Sequence, residues 1–207
     1  MLIHPSPFER VTAVTDIFMG WLAAYAAVQL AQLSGFKSGV WMWTFGLLAF
    51  SSLVAAIAHG FEMTQKTNDR FWMPINLSLG LALGLFVVGA LFDLSGEALA
   101  RKSLPVMLVI GFGFFLVTVW KPGTFMTFIV YEAAAMLFAL GAYVYLVFTS
   151  TLSGTEWIVA GIFVTILAAV VQATGKAGRA IFWHFDNNGV FHLIQMIGIV
   201  LLMVGLL

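Results

Sequence analysis

Cysteine is absent from the 207-residue chain, proline occurs only five times, and charged residues make up 9%. Without thiols there are no disulfides, iron–sulfur clusters or thiolate metal sites, so any metal must rest on His and carboxylate, helped by amides and water. Nine basic and nine acidic residues cancel to zero net charge, which removes the basic surface that nucleic-acid partners attract. What is abundant is apolar: 62% of the residues are hydrophobic, against roughly 45–50% in soluble domains. This composition predicts an all-α integral membrane protein, with residues 1–207 forming one domain.

Crossing a bilayer as a helix takes roughly 20 apolar residues. On that ruler seven spans are expected, near 11–33, 39–60, 72–91, 104–120, 124–148, 155–174 and 187–207. Polar loops are expected at 61–71 and 93–103, with Pro74 in the first turn of the third span. Lys121-Pro122-Gly123 and the run T-S-T-L-S-G at 149–154 read as turns. The first ten residues, with His4, two prolines, Glu9 and Arg10, do not resemble a signal-peptide n-region, so the first span is expected to stay in the membrane. Trp72, Trp120, Trp157 and Trp183 near span ends suit interfacial anchors. The run G-L-A-L-G, Gly80 to Gly84, has the small-residue spacing that lets helices approach closely.

Seven spans place Arg10, Lys66, Arg70, Lys121, Lys176 and Arg179 on the amino-terminal side, and Lys37, Arg101 and Lys102 opposite. The bias favours a cytoplasmic amino terminus in a plasma or bacterial inner membrane. The polar residues inside the spans are equally one-sided. Asp16, His59, Glu132, Gln172 and His192 belong to five helices and all fall toward the amino-terminal side. Ionisable groups are costly at such depth, so they mark a candidate functional site.

The densest polar stretch is F-W-H-F-D-N-N-G-V-F-H-L-I-Q, which carries His184, Asp186, Asn187, Asn188, His192 and Gln195. Asn188, His192 and Gln195 share one helical face, as do Ser52 and His59. Neutral imidazole binds zinc well, and catalytic zinc commonly takes three protein ligands plus water. His59 and His192 are the first two candidates, and the third is open among His184, Asp186, Asp16 and Glu132. Zinc lowers the pKa of its water to about 7. A carboxylate, Asp16 or Glu132, would then serve as general base, and Ser52 or Asn188 would steady an oxyanion. Simpler roles compete: Asp16 and Glu132 as interhelical glue, Asn187 or Asn188 as a helix cap, Ser51 and Ser52 bonded to their own backbone, and His4 as a solvated tail residue.

With its span count, Ser52 and His59 in the second span, and W-H-F-D-N-N-G-V-F-H leading into the seventh, the chain resembles the CREST superfamily of seven-span membrane hydrolases. That group includes alkaline ceramidases and the progestin and adiponectin receptors. The resemblance implies a zinc-dependent hydrolase of a lipid amide or ester, with membrane lipids as surroundings and substrate. Here Asn188 stands where the group has the first histidine of H-x-x-x-H, Ala55 stands four residues before His59 where it has serine, and the third span offers Asn76 and Asp69 rather than a matching aspartate. Three other readings use the same residues: a non-catalytic subunit or lipid-binding scaffold in a homo-oligomer or membrane complex, a haem protein with His59 and His192 as axial ligands, and a proton-coupled transporter using Asp16 and Glu132. A retinal pigment is not expected, because the seventh span has no lysine.

Overall fold

The computed structural model describes residues 2–121, 125–149 and 152–207. Pro122 and Gly123 of the expected turn, and Ser150 and Thr151 of the next, lie outside the described residues. The fold is all-α, with seven helices among the described residues: α1 (Pro7–Ala31), α2 (Phe36–Gly60), α3 (Gln65–Ser95), α4 (Glu97–Trp120), α5 (Phe125–Thr149), α6 (Thr155–Thr174) and α7 (Asn187–Leu206). Each is long and apolar enough to cross a bilayer. A two-residue strand, β1 (Leu2–Ile3), pairs antiparallel with β2 (Phe61–Glu62) and ties the amino terminus to the end of α2.

Two helices begin seven residues earlier than hydropathy predicts. The third starts at Gln65 rather than Trp72, because the Thr64 side chain accepts the Thr67 N–H and caps it. Its first turns project as polar helix where a loop was expected, and Pro74 lies inside the helix instead of in its first turn. α4 starts at Glu97, seven residues before the expected boundary, on Gly96 with φ +85° and a Glu97–Arg101 pair one turn apart. The other end of α3 also outruns its expected limit: Asp93 is helical and buried, not in a loop.

Six of the helices close a ring, α1–α2–α3–α5–α6–α7, with α7 returning to α1. α4 lies outside, mainly against α3. Glycine sets the closest crossings. A Cβ built on Gly80 would stand 2.6 Å from the Gly111 carbonyl oxygen of α4, and one on Gly84 2.7 Å from that of Met107. The G-L-A-L-G run is thus a helix-crossing surface, as its spacing predicts. Between α6 and α7, Gly161 meets Leu202 in the same way. At the core, Trp41 is fully buried, set edge-on to Phe86 at 5.0 Å and against Gly89.

The two ends of the ring are built differently. The α1–α2, α3–α4 and α5–α6 connections meet at one end, each turning on a glycine with positive φ: Gly35, Gly96 and Gly154. Here Lys37 Nζ lies 2.7 Å from Asp93 Oδ1, and the Tyr143 hydroxyl donates to Asp93 Oδ2 at 2.8 Å. One carboxylate therefore pins α2, α3 and α5. The opposite, amino-terminal end holds the longest connection, 175–186 between α6 and α7, and the candidate site.

Candidate functional site

The six-helix ring surrounds a cavity of about 950 Å³. That is within the range of pockets that enclose a drug-sized or lipid-sized ligand. Its depth is apolar, walled by Phe45, Leu83, Phe86, Met136, Ile199 and Leu202. Its waist is polar, with Asp16, Ser52, Glu132, Thr165, His192 and Gln195. Its mouth opens at the amino-terminal end among Asn68, Asp69, Lys121, Gln172 and Gly175. An amphiphile would fit this gradient with its chain inward and its polar group at the waist.

α1 supplies the organising face. Glu9 and Asp16 are seven residues apart, two helical turns, so they project from one side. Asp16 is only 2% exposed, and its Oδ1 lies 3.4 Å from His192 Nε2 on α7. The other imidazole nitrogen, Nδ1, lies 2.8 Å from Thr15 Oγ1. The Thr15 hydroxyl lies 2.8 Å from the Thr12 carbonyl as well as from Nδ1, so the tautomer of His192 decides which group donates. With the ring proton on Nδ1, Nε2 turns a lone pair toward Asp16; with it on Nε2, that N–H faces Asp16 Oδ1. Asp16 Oδ2 is buried with no hydrogen-bond partner among the described residues. Asp16 and His192 thus stand at a separation that a shared proton or a cation would bridge.

His59, at the end of α2, is engaged elsewhere. Its Nδ1 lies 2.6 Å from Glu9 Oε2, and its ring stands edge-on to Trp72 at 5.6 Å. It lines the same cavity as His192. Across from α1, Glu132 of α5 is buried in the cavity wall. Gln195, one turn beyond His192, donates to Thr165 at 3.3 Å and leaves its Oε1 buried with no hydrogen-bond partner among the described residues.

The remaining sequence candidates divide. Ser52 is buried at the waist, while Ser51 bonds back to the Leu48 carbonyl. Asn188 lines the cavity and accepts from Gln172 at 3.5 Å. Both oxygens of Asp186 accept backbone N–H groups. Oδ1 accepts the Asn188 and Gly189 N–H groups and caps α7, and Oδ2 accepts from Gly178 N–H. The cap is therefore Asp186 rather than Asn187 or Asn188. Asn187 instead donates to the Gln172 carbonyl and fastens α7 to α6. His184 sits outside the cavity lining, edge-on to Phe8 at 6.0 Å. His4 is not a free tail residue, since the β1–β2 pairing carries its N–H to the Gly60 carbonyl. Among the described residues, no three His, Asp or Glu side chains gather around one point.

Sequence reasoning missed Glu9, Thr15 and Thr165. The signal for Glu9 was present in its seven-residue spacing from Asp16. Thr15 and Thr165 carry none, since a lone threonine in an apolar helix reads as packing.

No curated protein and no solved structure is significantly similar to the chain. The profile of one protein family matches residues 11–207, nearly the whole length, and the chain belongs to that family of unknown function, DUF6962.

Proposed function

We propose that the chain is an integral membrane protein, amino terminus in the cytoplasm, that hydrolyses an amide or ester of a long-chain lipid inside its cavity. The observation that carries this reading is the buried pair of Asp16 Oδ1 and His192 Nε2 at 3.4 Å, at the polar waist of a chamber whose depth is apolar. Seven apolar helices support the membrane assignment, and six basic residues against three favour this orientation.

Asp16 and His192 fit two positions of a zinc ion. Ligand atoms about 2.0–2.1 Å from a tetrahedral ion stand about 3.3 Å from each other. The Thr15 contact fixes the imidazole as second-layer partners of metal-bound histidines do. Asp186 and His184 would not contribute, and the other positions would fall to water and substrate. Zinc there would supply a water acidic enough to act as hydroxide at neutral pH. The chain's own residues do the rest. Phe45, Phe86, Met136 and Leu202 hold the hydrocarbon chain and exclude water. Glu132, from the facing wall, moves the proton between attacking water and leaving group. Ser52 and Gln195 hydrogen-bond the carbonyl oxygen.

The test is purified protein in lipid nanodiscs, offered a panel of long-chain amides and esters, with fatty-acid release and zinc content both measured. The expected result is release from at least one substrate, about one zinc per chain, and loss of both in His192→Ala. No release and no zinc would overturn it. A non-catalytic lipid binder is the second reading, favoured by Ser52, which no basic side chain among the described residues activates. It predicts one retained lipid per chain and no turnover.

A further inference from the structure

A second, smaller cavity of about 290 Å³ lies at the amino-terminal end, lined by His4, Glu9 and Glu62 among others. Its wall and that of the main chamber share four residues: His59, Gln65, Asn68 and Trp72. His59 is the titratable member of that shared wall. Its Nδ1 is held by Glu9, which is one-third exposed, while its Nε2 has no hydrogen-bond partner among the described residues.

We infer that His59 and Glu9 form a side port, through which water and protons pass between this vestibule and the chamber while a ligand fills the mouth. The need for such a route follows from the shape. The mouth among Asn68, Asp69, Lys121 and Gln172 is the wide opening, and an amphiphile lodged there would seal the waist from water. Hydrolysis consumes one water and shifts protons, so a sealed waist stalls without a second opening. At the port, a proton taken up on His59 Nε2 from the chamber side is balanced by release of the Nδ1 proton to Glu9 Oε2. Water in the vestibule then removes it from Glu9, leaving the Nε2–H tautomer. Once the product has left, the Nε2 proton passes to water at the open mouth and Nδ1 regains one from the vestibule, which restores the first tautomer. Trp72 stands edge-on to the ring at 5.6 Å and lines both cavities. The charged and titratable groups around His59 are Glu9 and Asp16 from α1, His4 and Glu62 from the strand pair, Asp69 from α3, His192 from α7 and Asp186 from the loop before it. None of the others lies on the wall that both cavities share.

The port rests on the hydrolase reading for its purpose but not for its existence, so the experiment has two arms. The chain has no cysteine, so Ala173→Cys at the mouth gives a single attachment point for a dodecyl methanethiosulfonate chain. Acylation of each histidine by diethylpyrocarbonate is then followed by mass spectrometry, with and without the tether. The expected result is that the tether slows His192 acylation at least tenfold and leaves His59 within twofold. Equal protection of both histidines would overturn the port, whether or not the protein hydrolyses anything. In the second arm, His59→Ala lowers turnover at least tenfold, and added imidazole restores a large part of it without changing KM. A variant with undiminished turnover, or one that imidazole leaves unchanged, contradicts the relay.

Discussion

The two ends of the helix ring both bury a carboxylate, and they treat it in opposite ways. At the glycine-turn end, Asp93 is satisfied twice over, by the Lys37 ammonium and the Tyr143 hydroxyl. At the amino-terminal end, Asp16 has one oxygen 3.4 Å from an imidazole nitrogen and the other without a hydrogen-bond partner among the described residues. The first arrangement holds helices together. The second leaves a need that only a proton, a cation or a ligand can meet, which is how folded proteins mark a working site. The difference gives each end a separate experimental signature: substitutions at the Asp93 end cost stability, and substitutions at the Asp16 end cost function.

The largest stability loss is expected for Asp93→Ala, which strands a half-buried ammonium and frees Tyr143. About 2–4 kcal/mol should disappear, the lower half of the range reflecting the partial exposure of Lys37. Unfolding by denaturing detergent measures it, and a change under about 1 kcal/mol would dissolve the contrast between the ends. Asp186→Ala comes next and separates location from satisfaction. Its carboxylate lies at the amino-terminal end but holds three backbone N–H groups. It should therefore behave like the other end, losing about 1–2 kcal/mol as a helix cap does.

Asp16→Asn is expected to act in reverse. An amide N–H can donate to His192 Nε2, so stability should hold or rise by about 0.5–1 kcal/mol. A melting temperature well below wild type would mean that Asp16 is structural after all. Glu97→Ala should have the least effect, under about 0.5 kcal/mol, because its bond to Arg101 lies at the Asp93 end but is half-exposed and screened by solvent. A larger loss there would mean that charge as such, not burial, stabilises this end.

The contrast also explains what the sequence could and could not reveal. Apolar length gave all seven helices, and counting them placed Asp16, His59, Glu132 and His192 at one end, where they do line one cavity. Spacing gave the Gly80 crossing. Hydropathy failed at Asp93 because a charge ends an apolar window whether or not a partner neutralises it. It failed at Gln65 for a related reason, since a capped polar helix has no apolar signature. His59 and His192 line the same cavity, and each is held by a different group. Each takes a partner from α1, Glu9 for one and Asp16 with Thr15 for the other. Such pairings between distant helices depend on rotation about each helix axis, which a single sequence leaves open. Asp186 shows the converse, since a carboxylate beside two asparagines can read equally as ligand or cap until its hydrogen bonds are known.

The most direct test compares fatty-acid release by wild-type protein and by Asp16→Asn, on whichever long-chain amide or ester the substrate panel selects. A fall of at least a hundredfold in a variant that melts no lower than wild type is the expected result. Equal turnover by the two proteins would contradict the assignment of the Asp16–His192 pair as the working centre.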